Sequence, residues 1–185
     1  YSEWGSGNVG GESETIIGNW LKKRGGRDSV VIATKVAKLS TRRGLSAKNL
    51  QAACEDSLSR LQTDYIDLYY AHEDDPQTPL EETLGAFDSL IQSGKVRYIA
   101  ASNFTAERLQ KSLEVSRENS FAAYVAAQDQ FNLLERDYER TLQPTLVENS
   151  LSQLPYFGLA RGFLTGKYRP GKSVDSMRAG GLGNY

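Results

Sequence analysis

The chain has 185 residues, with 22 Lys plus Arg against 23 Asp plus Glu and a net charge of −1, so it presents no strong field to attract nucleic acid or an acidic membrane. One Cys and one His exclude a disulfide framework and a four-ligand structural zinc site, and no metal is expected. Hydrophobic residues at 39% and charged residues at 24% suit a globular domain, and no apolar run approaches the roughly 20 residues that span a bilayer.

The periodicity predicts alternating helices and strands. A first helix runs from Glu14 to Lys23. Val30 to Thr34 is a β-branched run and a first strand, closed by Lys35. Ala47, Leu50, Ala53, Cys54, Leu58 and Leu61 recur at helical spacing behind Ser46 as N-cap, which makes Cys54 a core residue. Tyr65 to Tyr70 is a second strand. Thr78, Pro79 and Glu81 supply an N-cap, a first-turn proline and a capping-box carboxylate, and the helix they open closes at Gly94. Val96 to Ala101 is a strand, and Thr105 caps the helix after it. Tyr124 to Ala127 is a strand, followed by a helix around 137–148. Leu154 to Phe157 is a last strand candidate, weakened by Pro155. This alternation predicts an α/β protein with a parallel sheet, in one domain over residues 1–185.

Polar residues fall at the carboxyl ends of these strands. Lys35, His72, Ser102 with Asn103, and Gln128 close four of them, and Tyr156 lies near the end of the fifth. In a closed βα barrel all strand ends open onto one face, and that face carries the chemistry. In an open doubly wound sheet the ligand would sit at a switch point instead, and marks on five successive strands favour the barrel. No strand leads into a dinucleotide fingerprint or a P-loop, so a Rossmann or P-loop reading has no support. A phenol donates a proton poorly near neutral pH because its pKa is about 10, and a nearby ammonium lowers that value. An imidazole can orient a carbonyl oxygen. A Tyr, Lys and His cluster therefore suits protonation of an oxygen that becomes an alkoxide. A substrate accepting hydride from a cofactor is one such case. Asp74 and Asp75 resemble a paired carboxylate and are expected to be a solvated loop.

Six stretches together carry a family resemblance. They are Ile32 to Lys35, Asp67 to His72, Gly94 to Ile99, Ala101 to Phe104, Gln128 to Arg136 and Leu159 to Tyr168. In this order and spacing the chain resembles the aldo-keto reductases, NADP(H)-dependent oxidoreductases on a TIM barrel. The resemblance implies reduction of an aldehyde or ketone to an alcohol. It places the family's proton-donating Tyr on Tyr1, which precedes a Gly-rich loop and Ser13-Glu14. It places the catalytic Lys on Lys35 and the His on His72. Ser102, Asn103 and Gln128 match residues that hold the nicotinamide carboxamide, and Tyr156 the aromatic that stacks on its ring. Residues 157–167 match the segment over the pyrophosphate, including Phe157, Gly158, Leu159, Arg161, Gly162 and Lys167. That loop resembles the bacterial and channel-β-subunit branches, with Phe157-Gly158 in place of a serine-proline pair. Ala100 stands where the family often has Gly. Trp4 is a candidate for the substrate pocket.

The resemblance also implies what the expected partners are: a small-molecule carbonyl substrate, with neither nucleic acid nor membrane. A cytoplasmic setting is expected from the single Cys. A regulatory NADP-binding module like the potassium-channel β subunits is the rival expectation. The chain opens on Tyr1 and not Met, and both ends are rich in glycine. Its length falls short of the roughly 250 residues of a TIM barrel. The expectation is a partial barrel covering about the third to seventh strands, with the family's supporting Asp before Tyr1 and its 2′-phosphate motif after residue 185.

Overall fold

The computed structural model describes residues 7–169. In chain order they form α1 (Glu12–Arg24), β1 (Ala33–Val36), a hairpin of β2 (Lys38–Leu39) and β3 (Arg42–Arg43), α2 (Ala47–Leu61), β4 (Ile66–Ala71), α3 (Leu80–Gln92), β5 (Val96–Ser102), α4 (Ala106–Asn119), β6 (Tyr124–Gln128), α5 (Asp137–Thr141), α6 (Gln143–Glu148) and β7 (Ser152–Gln153). Five strands make one sheet in the order β1-β4-β5-β6-β7, every pair parallel. Neighbours in the sheet are therefore neighbours in the chain, joined by helical crossovers. This is the architecture of a partial TIM barrel.

The two faces of the sheet differ. One packs on the helices, where Leu50, Leu61, Leu84, Phe87, Ile99, Leu109 and Tyr124 are fully buried. Edge-on contacts between Phe87 and both Tyr69 and Tyr124 tie this layer together, with centroids 5.8 and 6.1 Å apart. The other face carries Leu68, Tyr70, Ala100 and Ala126, a small separate cluster. Ala100 and Ala126 are the small members of this cluster. Ala100 in place of the family's frequent Gly belongs to this packed cluster.

Local chemistry explains most element ends. The Ser46 hydroxyl accepts from Asn49 N at 3.4 Å and that of Thr105 from Arg108 N at 3.1 Å, as N-caps do. Four expectations need correction. The first strand starts at Ala33, where pairing with β4 begins opposite Leu68; Lys35 lies within β1 and not at its end. Thr78 does not cap α3: its hydroxyl donates to Asp75 Oδ2 at 2.7 Å, and Pro79 takes the cap position without a side-chain bond. The helix around 137–148 is two short helices, since Pro144 has no N–H to bond a residue in the preceding turn. The last strand is Ser152–Gln153, upstream of Pro155, and Tyr156 meets the sheet only through a bridge to Gln130.

The buried Glu14 fastens α1 to the sheet. It accepts from the Thr34 hydroxyl at 2.5 Å and from Arg60 Nε at 2.6 Å. Burial works to raise its pKa, yet these bonds and one from Ser57 leave it lowered. Close approach of α1 to α2 depends on Gly18, where a Cβ would lie 2.2 Å from the carbonyl oxygen of Arg60. Backbone cannot yield as a side-chain tip can. Gly18→Ala is therefore expected to destabilise the fold by about 1–3 kcal/mol, read as a lower urea midpoint in chemical denaturation.

Candidate active site

The parallel sheet brings the carboxyl ends of all five strands to one edge. A cavity of about 420 Å³ opens there, lined by Ser13, Lys35, Lys38, His72, Ser102, Asn103, Gln130, Tyr156, Phe157 and Arg161. This size and mixed lining suit a small-molecule site. A wider cleft of about 780 Å³ lies near the opposite strand ends, lined by residues such as Arg27, Gln62, Asp64 and Lys95. It is shallow and open, and its Lys95 is ion-paired with Glu55.

The cavity floor is a hydrogen-bonded chain. Lys35 Nζ donates to Gln128 Oε1 and sits 5.1 Å from the Tyr70 ring centroid. The Ser102 hydroxyl donates to the Gln128 carbonyl at 2.7 Å. Asn103 Nδ2 donates to the His72 carbonyl at 2.8 Å and reaches Ser102 Oγ at 3.0 Å, while its Oδ1 accepts from the Tyr156 hydroxyl at 2.8 Å. Asn103 takes a left-handed φ of 57°, which asparagine tolerates better than most residues. Five strand ends are thus cross-linked through side chains.

Burial sets the charges. Desolvation, helped by the Lys38 charge, lowers the Lys35 pKa to about 8. Desolvation, with the Lys35 and Lys38 charges, lowers that of His72 to about 3. At neutral pH the site holds an ammonium beside a neutral imidazole. Asp129, at the end of β6, has its pKa raised to about 6 by burial against a bond from the Asn103 backbone N–H, and its Oδ2 has no hydrogen-bond partner.

The segment after β7 is conformationally tight. Phe157, Ala160 and Arg161 all take left-handed φ values, of 57°, 47° and 55°. Each costs about 1–2 kcal/mol in a residue with a Cβ, so surrounding bonds must hold them. Ala160 N donates to the Phe157 carbonyl at 2.7 Å, and the Arg161 guanidinium lies 4.7 Å from the Phe157 ring centroid.

The structure therefore brings together Lys35, His72, Ser102, Asn103, Tyr156, Phe157 and Arg161 around the cavity, with Gln128 joined through Lys35. Gly158, Leu159, Gly162 and Lys167 lie along the following segment and are not among the described residues lining it. Lys167 packs over the Tyr168 ring, 5.1 Å from its centroid. Tyr1 and Trp4 lie outside the described residues. Asp74 and Asp75 are not merely solvated. Asp74 pairs with Arg108 at 2.8 Å, and Asp75 accepts from Leu45 N at 2.8 Å. Sequence reasoning missed Ser13, Lys38 and Gln130. Lys38 sits in the hairpin after β1, which no apolar pattern marks, and Gln130 lies two residues past a strand end.

Chain-ordered parallel strands whose carboxyl ends share one cavity define the βα-barrel class of protein, with its site at that end. The aldo/keto reductase family model matches residues 7–181, and the chain belongs to that family. Aldo-keto reductase YhdN of Bacillus subtilis is 38% identical over 161 residues, covering 85% of this chain and 47% of that protein. Protein tas of Escherichia coli is 34% identical over 193 residues, covering 91% and 56%. A putative voltage-gated potassium channel subunit beta of Schizosaccharomyces pombe is 37% identical over 168 residues, covering 87% and 49%. The chain spans about half the length of the curated relatives it matches. No helix among the described residues is long and apolar enough to cross a membrane.

His72 supplies a direct test of this electrostatic arrangement. Its folded pKa lies below the unfolded value of about 6.5, so the unfolded chain binds the extra proton and stability falls as pH drops from about 6.5 towards 3. The imidazole resonances of His72 are expected to keep their neutral-form positions from pH 8 down to pH 5 in an NMR titration.

Proposed function

We propose that the whole protein containing this chain is an NADPH-dependent carbonyl reductase, converting an aldehyde or ketone to an alcohol. The observation that carries this reading is the convergence of Lys35, His72, Asn103 and Tyr156 on one cavity at the strand ends. The donor set fits a nicotinamide dinucleotide. The Gln128 side-chain amide and the Ser102 hydroxyl complement a carboxamide, and Tyr156 offers a ring for stacking. Arg161, at the cavity wall, offers charge to a phosphate. Gly158, Leu159, Gly162 and Lys167 would complete the wall along the pyrophosphate. When bound, the reduced nicotinamide supplies the hydride.

This chain's residues then have separate tasks. Neutral His72 orients the substrate carbonyl oxygen by hydrogen bonding and does not compete as an acid. Tyr1 donates the proton to that oxygen. The Lys35 ammonium, still charged at neutral pH although burial lowers its pKa to about 8, lowers the Tyr1 pKa and stabilises the phenolate left behind. Trp4 borders the substrate. The preference for NADPH over NADH, a cytoplasmic location and a single domain over residues 1–185 belong to the same proposal.

A second reading is favoured by the channel-subunit relative. In it the same site binds the dinucleotide as a redox-sensing module with little turnover. Tyr1→Phe in the whole protein separates the two. Under the first reading it lowers kcat by about 10²–10⁴ on reactive aldehydes, as loss of a general acid does, while NADPH affinity stays within twofold. Near-normal turnover in Tyr1→Phe would reject Tyr1 as the acid. Negligible wild-type turnover with tight NADPH binding would favour the second reading.

A further inference from the structure

We infer that Asn132 is a positioning residue for the cofactor wall: it ties the turn after β6 to the carbonyl of Phe157 and so fixes Tyr156 and the left-handed step after it. The ligand in this inference rests on the function proposed above, but the mechanical link does not.

Asn132 is buried, 5% exposed, and uses its whole side-chain hydrogen-bonding capacity. Its Oδ1 accepts from Leu134 N at 2.9 Å and Glu135 N at 3.0 Å. Its Nδ2 donates to Glu135 Oε2 and to the Phe157 carbonyl, both at 3.1 Å. The acceptor half, with Asn132 N donating to the Glu135 carbonyl at 3.2 Å, closes a local turn. The donor half does something a local turn does not require. It reaches a residue 25 positions away, on the neighbouring segment that carries Tyr156 and Phe157 along the cavity.

The tie falls where strain must be held. Phe157 takes a φ of 57°, and its carbonyl also accepts from Ala160 N, so one oxygen anchors both the turn and the strained loop. Phe131 N donates to the Tyr156 carbonyl at 3.4 Å, and Tyr156 N to the Asp129 carbonyl at 3.1 Å. Gln130, which lines the cavity, donates from Nε2 to the same Glu135 Oε2 that accepts from Asn132. Asn132 and Glu135 thus brace two adjacent lining segments, those of Gln130 and of Tyr156-Phe157, and are not among the described residues lining the cavity.

Asn132→Asp dissects the two halves. It keeps an acceptor for Leu134 and Glu135 but removes both donors, and it sets an anion against the Phe157 carbonyl and the Glu135 carboxylate. In the whole protein the NADPH Kd, followed by nicotinamide fluorescence, is expected to rise about tenfold or more, the scale of one lost charge-sensitive bond. Leu84→Ala, fully buried on α3 and far along the chain from the turn, is a destabilised control and should leave Kd within twofold. Wild-type Kd in Asn132→Asp, or equal weakening in Leu84→Ala, would overturn the inference. If Asn132→Asp does not fold, Glu135→Gln reports instead, with about threefold weaker binding expected and wild-type affinity counting against the inference. If the wild-type protein binds no NADPH, the proposed function fails. The link is then read from hydrogen exchange of the Phe157–Arg161 amides, which Asn132→Asp should speed and Leu84→Ala should not. Unchanged exchange would overturn it.

Discussion

The hydrogen bond from Lys35 to Gln128 states the constraint on which this structure depends. Lys35 lies on β1 and Gln128 on β6, with β4 and β5 between them. On a flat sheet three strand spacings would separate those backbones by about 14 Å. The side chains meet because the sheet curls towards the face on which the small Ala100 and Ala126 lie beside Leu68 and Tyr70, while the larger apolar cluster fills the helix side. Parallel pairing in chain order then delivers every strand's carboxyl end to the concave rim. The cavity is a consequence of that geometry.

Curvature also explains the electrostatics. A lysine drawn over the interior of a curled sheet loses solvent, and its ammonium becomes easier to deprotonate. The same enclosure, with two lysines nearby, keeps His72 neutral. Under the proposed function, a neutral imidazole orients the carbonyl oxygen while the Lys35 ammonium would steady a nearby phenolate. The costs are visible elsewhere. Asp129 holds a carboxylate at a raised pKa with one oxygen unbonded, and three residues with a Cβ between 157 and 161 adopt left-handed backbone. Such costs persist where surrounding bonds over-determine the site, as the bonds of Asn132 do around Phe157.

Much of the fold was legible because period and caps act locally. The helices headed by Ser46 and Thr105 and the strands centred on residues 66–71 and 96–102 follow from apolar spacing and capping side chains. The departures arise where a residue's partner is distant. Thr78 looks like a cap from sequence, but Asp75, itself bonded to Leu45, claims its hydroxyl. Pro144 breaks a helix whose apolar pattern runs through it. The hairpin of β2 and β3 has no apolar signature, so Lys38 went unread as part of the cavity. Site residues at strand ends were readable from a polar residue following an apolar run. Ser13 in the first turn of α1 and Gln130 past β6 were not, because only the tertiary fold decides which helix ends and loops face the rim.

The central claim is that the curled rim is a dinucleotide site. Hydrogen–deuterium exchange on the whole protein, with and without NADPH, tests it most directly. The account predicts protection confined to the ends of β5 and β6 and to residues 156–167. Protection at the opposite cleft around Gln62, Asp64 and Lys95, or no protection at saturating NADPH, would contradict it.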